Sequence, residues 1–298
     1  MAQPSVGVVI ATRNRAAGLA TTLSRLTALP ERPRVLVVDN ASTDSTRNMI
    51  ARRFPRVGVL PLPANRGALA RNDGVRLLDT PYVAFSDDDS WWEPGALGTA
   101  AHHLDTHPRI GLLAARTLVG PEAAPDSLNA ELAASPLGRP PGFPGPLVLG
   151  FLGCAAVVRR SAFLDAGGYH PLLFFGAEET LLAYDLTARG HLVCHAPDVL
   201  AHHHPSDGPR PHRRALVRRN ELLTVWLRRP LPVALRRTGR LGREAAGDPA
   251  ARRALRGALP RIPAALAHRR RLPAGVEAAV RRLERTRPEK PARSGRGG

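Results

Sequence analysis

The sequence predicts an α/β protein with a doubly wound, mostly parallel sheet, followed by an Arg-rich helical region. The first observation is that short apolar runs alternate with segments of helical periodicity near the N-terminus. The second is the charge distribution: residues 206–298 hold 25 Lys and Arg against 7 acids, which accounts for the whole net charge of +18. The third is a hydrophobic content of 43%, which is enough for a buried core and excludes wholesale disorder.

The alternation can be assigned element by element. Four strands are predicted at residues 5–11, 34–38, 57–61 and 82–86. Helices are predicted between them, with apolar faces at Leu19, Leu23 and Leu26, at Met49, Ile50 and Phe54, and within residues 67–78. Ligands of such sheets bind beyond the carboxyl ends of the strands, so the polar residues that follow each strand are the first candidates for a site.

The later elements are less regular. Residues 120–146 are rich in Pro, Gly, Ala and Ser, and we expect them to form a long loop. A helix is predicted within residues 174–190, because several leucines precede a terminating Gly190. Beyond residue 205 we expect Arg-rich helices broken by Pro and Gly, and then a disordered tail at residues 288–298.

Composition also bears on the compartment. The two cysteines, Cys154 and Cys194, are too few for a disulfide framework and suit a reducing cytosol. The N-terminus lacks a basic stretch followed by an apolar one, so we expect no signal peptide. The longest uncharged apolar run, about residues 144–158, is shorter than the roughly 20 residues that span a bilayer. We therefore expect a cytoplasmic protein and exclude a polytopic membrane protein.

Three consecutive aspartates, Asp87, Asp88 and Asp89, follow the fourth predicted strand. Adjacent ionised carboxylates repel one another, and a divalent cation relieves that repulsion. Carboxylate oxygens suit Mg²⁺ or Mn²⁺, which usually complete their coordination with phosphates. The alternative is a solvated acidic turn, but the position at a strand end, followed by Trp91 and Trp92, favours a metal site.

A further carboxylate follows the second predicted strand. Asp39, with Asn40 beside it, can accept a hydrogen bond from a nucleobase or a ribose hydroxyl. The alternative function of this segment is helix capping, for which Ser42 and Asp44 are suitable. Asp39 lies too early to be that cap, so we favour a ligand-binding role for it.

Basic side chains near two of these strand ends could reach a phosphate. Arg13 and Arg15 follow Thr12 at the end of the first strand, and Arg71 lies one turn into the third helix. Guanidinium groups bind phosphate oxygens in a bidentate manner. An exposed helix arginine is more often simply solvated, so these candidates are weak on their own.

Two other groups of residues are candidates for chemistry. Glu178 and Glu179 open the leucine-rich helix, where one could act as a base, although the helix dipole alone also favours acids there. His202, His203 and His204 follow an apolar segment, and an imidazole can complete a carboxylate-bound metal site. Neighbouring strand residues point to opposite faces, so at most two of the three can point inward.

Seven segments together resemble the family 2 glycosyltransferases, inverting enzymes of the GT-A fold with a Rossmann-like nucleotide-binding sheet. The segments are VVIATRNR, VLVVDNASTD, NRGALARNDG, YVAFSDDD, GCAAVVRRSAFLDAGGYH, GAEETLLAYDL and PDVLAHHH. No single segment is specific, but their order and spacing are. The resemblance runs from about residue 6 to about residue 220. It implies a catalytic domain at 1–220 and a basic helical region at 221–298.

The resemblance also implies roles for individual residues. Asp39 would hold the nucleobase, and the DXD motif would be Asp87 and Asp89, with Asp89 the stronger metal candidate and Asp88 the variable middle position. The late metal-binding histidine corresponds best to His203, with His202 and His204 as alternatives.

The acidic pair of the family corresponds to Glu178 and Glu179. The second position is more often Asp, so Glu179 departs from the usual pattern; Glu179 is our first choice for the base, and Glu178 is the alternative. A second departure is Asp185, which stands where the family usually has Arg.

The implied reaction is a metal-dependent, single-displacement transfer. The partners would be a nucleotide-diphosphate sugar donor and a hydroxyl acceptor, which could be lipid-linked or a cell-envelope glycan. Mg²⁺ or Mn²⁺ would neutralise charge on the leaving diphosphate.

Rival interpretations are a nucleotidyltransferase, a nucleic-acid-binding protein and a sugar-binding protein with a decayed site. A nucleotidyltransferase should carry a Gly-rich phosphate loop with a Lys, but Lys290 is the only lysine. No nucleic-acid-binding motif is present, so we expect no nucleic-acid partner. Residues 206–298 could instead rest on an anionic membrane surface as a peripheral attachment at its inner face, or simply form an Arg-rich cap.

Overall fold

The computed structural model describes residues 5–205 and 212–286. Its first half is the predicted succession of strands and helices. The elements are β1 (Val6–Thr12), α1 (Ala16–Thr27), β2 (Arg34–Asp39), α2 (Thr46–Arg53), β3 (Gly58–Pro61), α3 (Leu69–Leu77) and β4 (Tyr82–Ser86). The four strands are parallel in the order β3-β2-β1-β4. Thr12 pairs with Asp39, so the candidate residues that follow these strands start from one edge of the sheet.

The second half extends the same sheet. Its elements are β5 (Ser90–Trp92), α4 (Ala96–Thr106), β6 (Ile110–Val119), β7 (Ala124–Pro125), α5 (Ser127–Ala133), β8 (Ala156–Arg159), α6 (Arg160–Ala166), α7 (Glu178–Ala188) and β9 (Leu192–His203). The strand order is β3-β2-β1-β4-β8-β6-β9-β5, with β7 paired to β6. β8 runs antiparallel to both β4 and β6, whereas β6 and β9 are parallel. The predicted α/β class is confirmed, and the antiparallel ladders are an addition to it.

One local prediction was wrong. The segment expected to be a long loop, residues 120–146, contains β7 and α5. Helix α5 begins at an ordinary cap, because the Asp126 carboxylate accepts a hydrogen bond from the Leu128 amide at 2.8 Å. The abundance of Pro and Gly around this short helix concealed it in the sequence.

The sheet is buried on both faces, as a doubly wound architecture requires. Val8 and Ile10 of β1 belong to the core beneath α1 and α4, whereas Val9 belongs to the core on the α3 side. This alternation follows the two-residue period of a strand. It explains why these strands are continuous apolar runs and why only their ends carry polar residues.

The Arg-rich region folds into helices that pack on the sheet domain. They are α8 (Arg213–Arg228), α9 (Leu231–Glu244), α10 (Pro249–Ala258), α11 (Ile262–Ala267) and α12 (Ala274–Thr286), with a 3₁₀ turn at Leu259–Arg261. A third apolar cluster joins Leu222, Leu223 and Leu227 of α8 to Leu173 and to Leu181 of α7. The predicted boundary after residue 220 lies within α8, and the division into two domains stays a prediction. The expected tail, residues 288–298, lies outside the described residues.

Part of the basic charge is neutralised inside this region. Arg229 is almost fully buried and bonds to Glu277 (Nε to Oε2, 2.6 Å) and to Glu284 (Nη1 to Oε1, 2.9 Å). Arg228 donates from Nη2 to Oδ2 of Asp185 at 2.8 Å, and its Nε bonds to the other oxygen. Asp185, the departure from the family pattern, is thus one half of a bidentate ion pair between α7 and α8. Within residues 5–205 and 212–286, no helix is both long and apolar enough to cross a membrane.

Candidate active site

The ends of β1, β2 and β4 are joined by hydrogen bonds into one polar surface. The Thr12 hydroxyl donates to Oδ2 of Asp88 at 2.8 Å, and the Asn40 amide donates to the Thr12 carbonyl at 2.8 Å. Asn14, in the left-handed region with φ of 54°, accepts from the Thr43 amide at 2.7 Å. These contacts fix three predicted binding segments relative to one another.

Asp39 and Asn40 occupy the turn after β2 in different ways. Asp39 is almost fully buried, where Oδ1 accepts from the Ser42 amide at 3.1 Å and Oδ2 lies 3.4 Å from Nε of Arg47. Asn40 holds the next loop, since its Oδ1 accepts from the Arg66 amide at 2.7 Å and its Nδ2 donates to the Gly67 carbonyl at 3.0 Å. Both side chains of this turn are therefore already engaged by other parts of the chain.

The three consecutive aspartates point to three different partners. Asp87 forms an ion pair with Arg71, Asp88 accepts from Thr12, and Oδ1 of Asp89 lies 3.5 Å from Nε2 of His203. Burial raises the pKa of Asp88 to about 6, and the charges of Asp87 and Asp89 add to this effect while the Thr12 hydroxyl opposes it. Each of the three aspartates thus has its own partner, and these partners offset part of the predicted repulsion between the carboxylates.

Arg71 lies at the centre of the acidic groups. It is buried, which by itself lowers its pKa, but the charges of Asp87, Glu178 and Glu179 outweigh burial and raise the pKa above its usual range. Its Cζ lies 6.0 Å from the centre of the Tyr169 ring. This arginine connects the end of β4 to the start of α7.

Tyr169, a neighbour of Arg71, was not among the predicted site residues. Asn72 clamps Tyr169 by two hydrogen bonds of 2.9 Å, one from its Nδ2 to the Tyr169 carbonyl and one from the Tyr169 amide to its Oδ1. Tyr169 is buried beside Arg71. Asn72 lies next to Arg71 in the sequence, but no local pattern indicates a partner almost a hundred residues away.

Glu178 and Glu179 begin α7 in unequal surroundings. Glu178 is buried, and its Oε2 has no hydrogen-bond partner among the described residues. Burial first, and then the charge of Glu179, raises the pKa of Glu178 to about 8. Glu179 is half-buried, and burial also raises its pKa. A side chain at Gly153 would meet Oε1 of Glu179, since a Cβ built there lies 3.0 Å from that oxygen.

The loop before α7 is held by two distant parts of the chain. The buried Asn220 of α8 donates from Nδ2 to the carbonyls of Leu173 at 2.8 Å and Phe175 at 3.0 Å, and also to that of Gly176. The Ala68 amide donates to the Phe174 carbonyl at 2.7 Å. A Cβ at Gly67 would lie 2.2 Å from that carbonyl oxygen, so the close approach requires glycine there. Asn220 is not among the predicted site residues, because one Asn in an Arg-rich helix gives no signal.

The three histidines separate as strand alternation predicts. Of the three rings, that of His203 is directed at Asp89. His202 bonds through Nε2 to Oε2 of Glu93 at 2.5 Å, and the His204 ring lies 4.5 Å from that of Trp91.

Arg13 and Arg15 are exposed beyond β1. The charge of Arg15 opposes the rise in the pKa of Asp88 that burial causes. Within the described ranges no group of three or more His, Cys, Asp or Glu side chains is arranged to hold a metal alone.

The chain is similar to known proteins in sequence and in fold. The model of glycosyl transferase family 2 matches residues 7–166, more than half of the chain, and the protein belongs to that family. It is similar to the N-acetylglucosaminyl-diphospho-decaprenol L-rhamnosyltransferase of Mycobacterium tuberculosis, with 27% identity over 281 residues covering 77% of this chain and 88% of the relative. It is also similar to the pre-mycofactocin glycosyltransferase of the same organism, with 32% identity covering 66% of this chain but 42% of that relative.

Solved structures agree on the GT-A fold. One is the mannosyltransferase PcManGT from Pyrobaculum calidifontis, in complex with GDP-Man and Mn²⁺, with a TM-score of 0.57 and 20% identity. The match covers 97% of this chain and 77% of the PcManGT chain. Another is S. aureus TarS 1–349, in complex with UDP-GlcNAc, with a TM-score of 0.61 and 18% identity. That match covers 92% of this chain and 83% of the TarS chain. At these identities the likeness establishes the fold. The enzyme class, a glycosyltransferase, follows from the family and its named relatives.

The unequal surroundings of the two glutamates generate a testable prediction. The pKa of Glu178 is about 8 in the folded protein against an ordinary value of 4.5, so between these values the folded state retains a proton that the unfolded state has lost. The free energy of unfolding should therefore fall as pH rises through this window. Glu178→Gln has no proton to lose, so it should gain stability over the wild type between about pH 5 and about pH 8.

Urea unfolding at several pH values measures this difference. The matched control is Glu122→Gln, a substitution at an exposed glutamate, whose pH profile should follow that of the wild type. Parallel profiles for Glu178→Gln and the wild type would show that Glu178 is ionised throughout the range.

Proposed function

We propose that this protein is a metal-dependent, inverting glycosyltransferase that moves a sugar from a nucleotide-diphosphate donor to an acceptor hydroxyl. One observation carries the proposal: Arg71 pairs with Asp87, close in sequence to the Asp89–His203 pair, and it is also near enough to Glu178 and Glu179 for their charges to raise its pKa. A site of this kind combines groups for diphosphate binding with a carboxylate that can accept a proton. Solved members of the fold that hold GDP-Man with Mn²⁺ or UDP-GlcNAc support the donor class.

The donor would lie across the ends of β1, β2 and β4. Asp39 and Asn40 would hold the nucleobase and ribose, and Thr12 and Asp88 would line the path between the base and the phosphates. The diphosphate would then lie within reach of positively charged side chains. These are Arg13, Arg15 and Arg71, with Asp87 fixing the orientation of Arg71.

Asp89 and His203 fit a divalent cation, because a carboxylate oxygen and an imidazole nitrogen lie 3.5 Å apart and face one another. Mn²⁺ accepts both ligand types, and Mg²⁺ prefers the oxygen. Asp87 is the further candidate ligand, although Arg71 occupies one of its oxygens. When bound, the cation supplies Lewis-acid stabilisation of the departing diphosphate.

Glu179 is our choice for the base, and Glu178 is the alternative. Glu178 is buried, and its pKa of about 8 keeps its carboxyl group protonated near neutral pH. Glu179 lies beside Gly153 and is only half-buried, so its carboxyl group is more exposed to solvent than that of Glu178. A carboxylate at that position can take the proton of an acceptor hydroxyl as it attacks the anomeric carbon from the face opposite the diphosphate. Inversion follows from a single displacement, with no covalent enzyme intermediate.

The first test concerns the metal. The full chain is incubated with UDP-, GDP- and dTDP-sugars with and without Mn²⁺, and release of nucleoside diphosphate is measured. We expect Asp89→Ala to abolish transfer without unfolding the protein, since the residue lies at a strand end outside the core. Asp79→Ala, which removes an exposed carboxylate at the opposite end of β4, is the control. Full activity of Asp89→Ala, or of wild type in excess EDTA, would contradict the metal assignment.

The second test concerns the base. Glu179→Gln keeps the size of the side chain but removes its ability to accept a proton, so turnover should fall by about 100-fold or more. Donor affinity, measured by thermal shift, should stay near that of the wild type. If Glu178→Gln is the damaging substitution and Glu179→Gln is mild, the two roles are exchanged.

The acceptor and the location of the enzyme are also proposals. The rhamnosyltransferase relative is named for a lipid-diphosphate substrate, which supports a lipid-linked acceptor here. Exposed leucines on α9, Leu231 and Leu235, lie one turn apart beside exposed Arg236. This pattern is typical of a helix that rests on an anionic membrane, so we propose peripheral attachment at the cytoplasmic face. Each basic residue near such a surface contributes roughly 1 kcal/mol.

Co-sedimentation with vesicles tests the attachment. Wild type should sediment with anionic phosphatidylglycerol vesicles at low salt and be released at high salt, and Arg236→Gln combined with Arg243→Gln should weaken binding. Arg52→Gln combined with Arg56→Gln removes two exposed charges from the sheet domain and serves as the matched control. Equal recovery in the supernatant with neutral and anionic vesicles at low salt would reject the membrane and leave a structural cap.

A further inference from the structure

An exposed aromatic pair lies immediately before the two candidate catalytic glutamates. Phe174 and Phe175 are each 42% exposed, whereas Phe85, Phe151 and Phe163 are buried in the core. Large apolar side chains that remain in water lose the stabilisation that burial gives, so adjacent exposed rings at a site indicate a binding surface.

The backbone keeps the pair in place. Phe174 and Ala177 adopt left-handed backbone angles, with φ of 61° and 62°, which non-glycine residues rarely occupy. The carbonyls of both phenylalanines are bound, that of Phe174 by the Ala68 amide and that of Phe175 by Nδ2 of Asn220. Strain that the surrounding structure maintains is characteristic of functional positions. The rings are therefore presented by a fixed loop.

An exposed arginine lies on the helix that approaches this loop. The Val217 side chain is in contact range of the loop, with its Cγ2 3.4 Å from a Cβ built at Gly176. Arg213 lies one turn earlier on the same face of α8 and is exposed, and its charge lowers the pKa of Glu179. Within the described residues no acidic side chain forms an ion pair with it. Among the described residues, an apolar surface and a cation without an ion-pair partner thus lie on the loop and the helix next to Glu179.

We propose that Phe174, Phe175 and Arg213 form a binding site for the lipid phosphate portion of an amphiphilic acceptor. The two rings would contact the first part of the hydrocarbon chain, and the guanidinium would bind a phosphate oxygen. The charge decides between occupants: a neutral glycan would use the rings but not Arg213, whereas a lipid phosphate uses both. The inference rests on the proposed function, because it assumes that the acceptor enters beside Glu179.

The test measures binding without turnover. Calorimetric titration of the full chain uses dodecyl phosphate below its micelle concentration, with methyl phosphate and dodecyl maltoside as the ligands that lack the chain or the charge. Wild type should bind dodecyl phosphate at least about tenfold more tightly than either. Phe174→Ala combined with Phe175→Ala should lose about tenfold or more in affinity for dodecyl phosphate, and Arg213→Gln should remove the preference over dodecyl maltoside.

Two controls make the outcome decisive. Leu77→Ala removes a comparably exposed apolar side chain from the end of α3, and its affinity should equal that of the wild type. Thermal unfolding checks that each variant is folded. If the double phenylalanine variant is unfolded, Phe175→Ala alone is used in its place. Affinity unchanged in the phenylalanine variants, or lowered equally by Leu77→Ala, would overturn the proposal.

The two proposals fail in distinguishable ways. If wild type releases no nucleoside diphosphate from any donor but dodecyl phosphate binding depends on the phenylalanines and Arg213, the proposed function fails and the lipid phosphate site stands. If donor is consumed and dodecyl phosphate binds equally to all variants, only the lipid phosphate site fails.

Discussion

The arrangement of the site depends on one buried guanidinium among carboxylates. Arg71 contacts Asp87 and lies close enough to Glu178 and Glu179 for their charges to raise its pKa. Without this cation, three carboxylates would share a poorly hydrated space, and each would favour protonation. With it, part of the negative charge of Asp87, Glu178 and Glu179 is balanced, although burial still raises the pKa of Glu178 to about 8.

The same interaction explains why several parts of the chain must fold together. Arg71 comes from α3, Asp87 from the end of β4, and the glutamates from α7. Tyr169, clamped by Asn72, fills the space beneath the guanidinium, and Asn220 of α8 fixes the loop that leads into α7. The site is therefore a junction of distant segments, and a single loop could not form it.

The sequence predicts the parts of this arrangement that depend on short-range patterns. Apolar runs place β1, β2 and β4, and the rule that ligands bind at strand ends selects Thr12, Asp39 and Asp87. Strand alternation separates His203 from its neighbours. Long-range partners are different, because neither the pairing of Asn72 with Tyr169 nor the three carbonyls bound by Asn220 leaves a local pattern. The antiparallel entry of β8 is equally hidden, since its apolar run is the same for either direction of pairing.

The ion pair between Asp185 and Arg228 has a consequence for making chimaeras. α7 and α8 each carry one half of a bidentate contact, and Leu181 and Leu222 share one apolar cluster. A graft that brings α7 from a relative with Arg in place of Asp185 would set two guanidinium groups against each other in a partly buried position. A graft that exchanges α7 would have to transplant both helices as one unit, with the boundary of the graft beyond Arg228.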